Sequence, residues 1–465
     1  YHGDPSMKVM KFGGSSVADA DRIARVIDIV EAEHEVGRVC AVFSAMRGVT
    51  DFLLDGAREA AAGYDAFAER SAVVRAKHLE SAGALCGEDA ALVAQIEGMC
   101  DELEELLHGV SLVRECTPRT LDLIVGFGER LNCTVIAAAM AHRGLPARYV
   151  DAREIIRTDA SHGNASVDFA RSYELIRASV DGDDLPVVTG FIAATENGVM
   201  TTLGRNGSDY TASIVGAGTD AETIEIWTDV DGVYSADPRF VADAFVLPEV
   251  SYQEAMELSY FGAKVIHPYT MVPAVERGIP LRIKNTLNPE APGTLIAANT
   301  SSQAEWITGI ASIENVALVN VEGGGMVGLP GIAGRIFGVL AEAKINIVMI
   351  SQASSEHSIC FVIPEHDANR AARTLETALA SELDRKKIQR VAVERDLEIV
   401  AVIGENMKGR PGIAGRLFQA LGDARINILA IAQGSSEMNI SFVVGRAERE
   451  RTLNAVHGAF FGGRQ

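Results

Sequence analysis

The chain has 465 residues, 48% of them hydrophobic and 23% charged, and at about 150 residues per domain this size predicts roughly two to four soluble globular domains. Its 42 Lys and Arg against 63 Asp and Glu leave a net charge of −21. That excludes the basic face with which a nucleic-acid binder displaces counterions from phosphates, and it argues against docking to an anionic membrane. No run approaches the ~18 uninterrupted apolar residues of a membrane span, and no signal peptide is read at the start. Residues 1–6, ahead of Met7, read as an expression remnant outside the fold. The cysteines at 40, 86, 100, 116, 133 and 360 include no C-x-x-C pair. Reduced thiols in a cytoplasmic protein are therefore expected, not a disulfide or zinc framework.

From Lys8 to about Leu295, β-branched apolar runs alternate with helical periodicity, the pattern of an α/β domain. Lys8–Lys11 reads as a strand. Ile23, Val26, Ile27 and Val30 then mark one helix face at i, i+3, i+4, i+7. Arg38–Phe43 is a second buried strand, and 52–108 is mostly helical and acidic, with Asp101–Leu107 a solvated face. Pro186–Phe191, Val199–Leu203 and Thr223–Thr228 are further strands; Asp209–Val215, Tyr252–Gly262 and Val265–Arg277 are predicted helices.

Past Leu295 the polar segment 299–303 reads as a linker, and an internal repeat follows. Pro330–Arg335 recurs as Pro411–Arg416, Ile345–Ile347 as Ile426–Ile428, and Ser354–Glu356 as Ser435–Glu437, each pair 81 residues apart. Over 330–363 the copies share 20 identities in 34 positions, which chance does not produce. Two copies of one small α+β domain are expected.

Four segments carry residues suited to chemistry. Lys11-Phe-Gly13-Gly14-Ser15-Ser16 joins a strand to a helix; its glycines let backbone N–H groups approach an anion, and Lys11 adds a fixed charge. Alone, a Gly-Gly turn is more often only a turn, and the Walker pattern is absent. Gly204-Arg205-Asn206-Gly207-Ser208-Asp209 is a second strand–loop–helix junction. Arg205 suits bidentate capture of a carboxylate or phosphate, while Ser208 or Asp209 as a helix N-cap would account for the motif structurally. Thr228-Asp229-Val230-Asp231-Gly232-Val233-Tyr234, ending in Asp237-Pro238-Arg239, lies at the carboxyl end of an apolar strand, where open α/β sheets bind ligands; its spacing is not that of a calcium loop. Phe261-Gly-Ala-Lys264-Val-Ile-His267-Pro offers Lys264 either to a phosphate or to a helix dipole, and His267 reads as structural. Gly323–Gly328 matches G-x-G-x-x-G, but its repeat copy lacks the middle glycine, so it reads as a turn and not as a dinucleotide cradle.

Taken in this order, and with Gly128-Glu129-Arg-Leu-Asn132, the motifs resemble those of the aspartate kinases (aspartokinases) of the amino-acid kinase family. The duplicated tail resembles that family's paired ACT domains. Ser15 stands where the family usually has threonine and Asn206 where it usually has glycine; asparagine tolerates positive φ better than most residues. The resemblance implies an open, mostly parallel sheet with helices on both faces over 7–298, then ACT-like βαββαβ domains over 299–390 and 391–465.

It also implies ATP-dependent phosphorylation of the L-aspartate β-carboxylate, with magnesium on the nucleotide and no metal held by the protein itself. Carried over by residue, Lys11 stabilises the transferring phosphoryl group and Asp209 orients it. Arg205 clamps the substrate α-carboxylate, Glu129 meets its ammonium, and Thr50 and Ser208 line the same site. Gly13, Gly14, Thr228, Asp229, Tyr234, Arg239 and Lys264 hold ATP with Lys11. Alternatives are a kinase for another amino acid such as glutamate, or a silent amino-acid sensor that keeps only its ACT domains. Gly331, Ile332, Asn346, Ile347 and Gln352, with Asn427, Ile428 and Gln433 in the second copy, are the expected effector residues. Ser351–Glu356 looks more like threonine-responsive members than lysine-responsive ones, and a homodimer or tetramer through the ACT-like domains is expected, with pure dimerisation the alternative for both copies.

Overall fold

Lys8–Phe12 (β1), Val39–Phe43 (β2) and Leu185–Thr189 are almost wholly buried, because they run through the middle of a parallel sheet that helices cover on both faces. The structure, a computed structural model, describes residues 7–180, 182–262, 267–298, 300, 306–326, 331–352 and 357–463. Lys264, Pro330, Ser354–Glu356, most of the 299–303 linker and the leader 1–6 lie outside the described residues.

The first helix is Ala20–Val36 (α1), capped by the Asp19 side chain, and Ile23, Val26, Ile27 and Val30 are fully buried on its inner face. Val49–Ala62 (α2), Phe67–Cys86 (α3) and Ala90–Val113 (α4) follow. In α4, Leu103 and Leu107 point inward while Asp101, Glu102 and Glu105 stay exposed. Pro118–Val125 (α5) and Phe127–His142 (α6) come next. Together they form one helical stretch long and apolar enough to cross a membrane, yet 83% of its apolar window is buried inside the protein.

Ala147–Val150 (β3), Ala152–Ile155 (α7), Arg157–Thr158 (β4), Phe169–Val180 (α8), Leu185–Thr189 (β5), Ile192–Thr195 (β6), Met200–Thr202 (β7), Gly207–Gly218 (α9), Thr223–Thr228 (β8), Glu249–Ser251 (β9), Tyr252–Tyr260 (α10), Pro268–Arg277 (α11), Leu281–Asn285 (β10) and Thr294–Ala297 (β11) complete this part of the chain. The eight-stranded sheet has the order β3-β5-β2-β1-β8-β10-β11-β9, with only β10–β11 antiparallel, and β4, β6 and β7 form a small second sheet. At the carboxyl end, register aligns Phe43, Phe12, Trp227 and Lys284 in one row. The rings stack at 5.3 and 5.8 Å, and the Lys284 ammonium lies 4.5 Å from the Trp227 ring. Strand alternation then sends Lys11 to the opposite face, toward α9.

Two local expectations change. The run 186–191 is not one strand: Phe191 sits at φ +69 and separates β5 from β6. The N-cap of α9 is neither Ser208 nor Asp209 but Asn206, at φ +57, so both candidates lie inside the first turn.

The chain folds as two compact units, and the second takes in 234–247 and 253–262 as well as the described residues from 306 onward. Its six-stranded antiparallel sheet is built on Gly309–Glu322 (β12), Met349–Gln352 (β13), Ser358–Pro364 (β14), Arg390–Ile403 (β15), Ala430–Ala432 (β16) and Asn439–Gly445 (β17), in the order β13-β14-β12-β15-β17-β16. Ile332–Glu342 (α12) and Ala368–Ala378 (α13) cover one half, and Ile413–Asp423 (α15) and Arg449–Phe461 (α16) the other, with Ala380–Asp384 (α14) between. The two copies share their longest strands. Ile307, just before β12, and Ile310 at its start join the core of the second copy, whereas Ile388, just before β15, and Val391 and Val393 at its start close the core of the first. A register shift between Ile313 and Val316, with Asn315 at φ +59, lets β12 pass from one core to the other.

Phe12→Ala would break the aromatic row and leave a cavity under it. An expected loss of about 3–5 kcal/mol would be read from the denaturant midpoint; a loss below about 1 kcal/mol would show that the row does not hold the sheet.

Candidate active site

The loops that leave β1 and β2 meet because two glycines allow it. A Cβ on Gly14 would stand 2.9 Å from the Ala45 carbonyl oxygen, and one on Gly128 would stand 2.8 Å from the Ala45 side chain. Ser44 N–H donates to the Phe12 carbonyl at 3.1 Å, tying the second loop to the end of β1. One turn of α6 fixes it from behind. Glu129 Oε1 accepts from Ala45 N–H at 3.2 Å, and Asn132 Nδ2 donates to the Ser44 carbonyl at 2.6 Å. Glu129 and Asn132 are three residues apart, so they share a helix face.

A third wall comes from β7 and α9. Gly204 turns the chain at φ +76 and Asn206 at φ +57, which puts Arg205 at the mouth and Ser208 and Asp209 in the first turn of α9. Lys11 and Asp209, each 8% exposed, form an ion pair at 2.5 Å between Nζ and Oδ1, without the angle of a good hydrogen bond. Gly190 packs where a Cβ would meet Ser208 Oγ at 2.6 Å.

These walls enclose a cavity of about 440 Å³. Of the expected residues, Lys11, Gly14, Thr50, Glu129, Arg205, Ser208 and Asp209 line it, and Gly13 lies against the Lys11 ammonium. Its charges are Lys11, Arg47 and Arg205 against Asp51, Glu129 and Asp209. With Glu129 ionised, that balance suits a ligand carrying both signs and not a simple anion. Arg205 is exposed, with no ion-pair partner among the described residues. Glu129 is buried, its Oε2 has no partner, and burial pushes its carboxyl up to about 8 against the pull of the Ala45 N–H and Lys11. A buried acceptor left open in this way awaits a donor.

Ser44, Ala45, Met46, Arg47, Asp51 and Phe191 also line the cavity, and sequence reasoning did not single them out. The first four follow the second predicted strand at the carboxyl edge of the sheet, which is the one signal they offer. Phe191, a bulky residue at positive φ, has none.

The expected nucleotide residues are spread more widely. Thr228 and Asp229 end β8, beside β1, and the Thr228 hydroxyl donates to Asp229 at 3.2 Å. Asp231 accepts from Asn285 and Asn288 at 2.8 and 3.1 Å. Tyr234 and Arg239 group with the second unit, where Asp237 engages the Arg239 guanidinium bidentately and raises its pKa. His267 caps α11, its Nδ1 accepting from Tyr269 N–H at 3.3 Å. Among the described residues no group of three or more His, Cys, Asp or Glu gathers as a metal site.

In the second unit, Gly331 at φ +89 and Gly412 at φ +96 start α12 and α15 with no side-chain cap. Asn346, Gln352, Asn427 and Gln433 are exposed, and Ile347 and Ile428 half-buried. The edge strands β13 and β16 touch through Ser351 Oγ, which donates to the Ile431 carbonyl at 2.8 Å.

Comparison with known proteins gives a consistent match. The amino acid kinase family profile covers residues 6–285, and the ACT domain profile covers 319–379 and 400–460. The chain is 37% identical over 463 residues to the bifunctional aspartokinase/homoserine dehydrogenase 2, chloroplastic, of Arabidopsis thaliana, across 97% of this chain and 50% of that protein. It is 34% identical over 469 residues to aspartokinase 1, chloroplastic, of the same plant, across 97% of this chain and 80% of that protein. E. coli aspartokinase III, solved with aspartate and ADP in its R-state, superposes with a TM-score of 0.81 at 29% identity, over 98% of this chain and 100% of that one. The same enzyme solved with lysine and aspartate in its T-state gives 0.81 at 30% identity, over 98% and 99%. The chain spans about half the length of the bifunctional relatives it matches.

The Glu129 carboxyl should titrate near 8 in the ligand-free protein, so at neutral pH it carries its proton. Carboxyl-¹³C glutamate labelling, with Glu129→Gln to assign the resonance, checks this; a midpoint in the ordinary carboxylate range would show that water reaches the group.

Proposed function

The chain belongs to the amino acid kinase family, in its aspartokinase branch with a C-terminal pair of ACT domains, and on that premise we propose that it phosphorylates the β-carboxylate of L-aspartate with ATP to give 4-phospho-L-aspartate. The observation that carries the reading is the open Oε2 of buried Glu129 in one cavity with Lys11, Asp209 and Arg205, the last without an ion-pair partner among the described residues. An amino acid with a side-chain carboxylate brings an ammonium for Glu129, an α-carboxylate for Arg205, and a second carboxylate toward Lys11.

An aspartate side chain has a pKa near 3.9, so at neutral pH it is already the nucleophile and no general base is required. One of its oxygens bonds to the γ-phosphorus as the bond to the bridging oxygen breaks, and ADP carries the electron pair away. The difficulty is bringing one anion up to another. Positioning and positive charge therefore supply the catalysis. Lys11 holds charge at the transferring group, and Asp209, on the rigid first turn of α9, holds Lys11. Gly14 brings its backbone N–H close, Gly13 leaves room beside the Lys11 ammonium while its own N–H donates to the Trp227 carbonyl at 3.3 Å, and Thr50 and Ser208 add hydroxyls. In the first unit Thr228 and Asp229 would hold the nucleotide; the nucleotide roles of Tyr234, Arg239 and Lys264 rest on the family resemblance alone. Magnesium carried on the nucleotide phosphates would there neutralise phosphate charge.

The reading includes feedback inhibition by an end-product amino acid at the ACT-type domains, assembly through those domains into at least a homodimer, and a reducing, cytoplasmic setting that suits six unpaired cysteines. Gln352 is exposed at the end of β13, where its amide can meet a hydroxyl, and on that ground we favour threonine as effector. The structure of a similar enzyme with lysine makes lysine the second reading.

Coupled ADP release with aspartate and with glutamate tests the reaction. Turnover with aspartate well above glutamate is expected; equal or reversed preference would refute the substrate. Lys11→Ala should lower kcat at least about 10²-fold, and an unchanged kcat with a higher KM for ATP would leave Lys11 a ground-state ligand only. Arg205→Lys keeps charge but loses the two-pronged geometry, so the KM for aspartate should rise while that for ATP holds.

Aspartate binding through its ammonium requires Glu129 ionised, and burial raises the pKa of that carboxyl to about 8. The KM for aspartate should therefore fall as pH rises toward that value, and a flat profile would contradict the ammonium contact. Titration with threonine, lysine and both, in wild type and Gln352→Ala, tests regulation: inhibition by lysine alone overturns the threonine assignment.

A further inference from the structure

Asp122 is 2% exposed on α5 and does not line the cavity, yet it collects donors from two separate segments. Thr202 Oγ1 donates to Oδ1 at 2.6 Å, Gly163 N–H reaches both oxygens at 3.1 Å, and the His162 Nδ1 lies 2.8 Å from Oδ2. No lysine or arginine among the described residues pairs with it. Burying a carboxylate without such a partner is an expensive way to gain stability, so what it holds in place is the better guide to its role.

Two things are held. Thr202 ends β7, three residues before Arg205, and its carbonyl accepts from Ala165 N–H at 3.0 Å. The loop 159–166 is braced internally, because Asp159 Oδ1 accepts from Ser161 and Ser166 N–H at 3.0 Å each. Asp122 thus bolts an already rigid loop to the strand that delivers Arg205. The loop in turn bears on the turn itself. Gly204, at φ +76, packs so closely that a Cβ there would run into the Asn164 side chain and stand 3.3 Å from the Gly163 carbonyl oxygen. Displacing 162–164 removes the surface on which Gly204 rests.

We propose that Asp122, acting through Thr202, His162 and Gly163, is a positioning residue that sets the Gly204–Asn206 turn and with it the carboxylate-binding geometry of Arg205. The role assigned to Arg205 rests on the function proposed above; the ordering of the turn does not.

Asp122→Ala removes every bond at once, Asp122→Asn keeps the shape and one acceptor oxygen, and Thr202→Val removes a single bond without changing volume. Asp122→Ala should raise the KM for aspartate about tenfold or more, since displacement of a substrate clamp by ~1 Å is felt on that scale, with the KM for ATP unchanged. Thr202→Val should show the same split more weakly, and Asp122→Asn should recover most of the loss. A rise in both KM values together, or a loss of thermal stability with neither KM moved, would make Asp122 merely structural and overturn the proposal. Amide hydrogen exchange in the ligand-free protein gives a second readout that needs no substrate. Residues 203–208 should exchange faster in Asp122→Ala while β1 and β2 keep their protection. Unchanged exchange at 203–208 overturns the positioning role even if aspartate is turned over. Faster exchange there with no aspartate turnover by wild type leaves the positioning intact and refutes the assigned substrate.

Discussion

The Lys11–Asp209 ion pair is the constraint around which the first unit is arranged. Both side chains are almost fully buried, and in a chain of net charge −21 a lysine offered to an anion must be placed and shielded deliberately. Losing either partner strands the other, a change worth about 3–5 kcal/mol in buried pairs. The pair also needs its elements in one register. Lys11 reaches Asp209 because β1 lies in the middle of the sheet and α9 packs across it, and because Phe12, one residue on, turns to the opposite face and anchors there between Phe43 and Trp227.

Around this pair the cavity is assembled from loops that have almost no freedom. Gly14 and Gly128 allow contacts that any side chain would block, and Glu129 and Asn132 grip consecutive residues of the 44–45 loop. The site is therefore preorganised by packing. Such rigidity is what lets a few charges align one anion against another without reorganisation at the moment of reaction. Burial raises the pKa of Glu129 to about 8, so ionising it costs free energy that a cationic group at Oε2 would offset.

The second unit obeys a different logic. Its copies are not beads on a string, because β12 and β15 each run 14 residues and contribute to both cores. Neither core is therefore built from one copy's residues alone, since each of these strands supplies side chains to both. The same unit takes in 234–247, where Ser235 and Phe245 pack against His457, so the segment bearing Tyr234 and Arg239 shares its packing with the repeat.

Sequence by itself determined the local chemistry. The Lys11, Gly13 and Gly14 junction, the Glu129 motif, the Arg205–Asp209 loop and the 81-residue repeat were legible because each is a short stretch in which backbone freedom, charge and helix start coincide. Tertiary structure decided what those stretches face. No local signal marks Phe191 at positive φ or the bolt that Asp122 forms with His162 and Thr202 across 40 and 80 residues, and the tolerance of Asn206 for positive φ did not by itself say that it, and not Ser208 or Asp209, starts α9. The exchange of strands between copies was equally hidden, since the repeat predicts two alike units and is silent on which core each half-strand enters. Periodicity and composition report a residue's neighbours along the chain, whereas a buried carboxylate's donors, a glycine's close approach and a strand's partner are set only when distant segments are brought within a few ångströms.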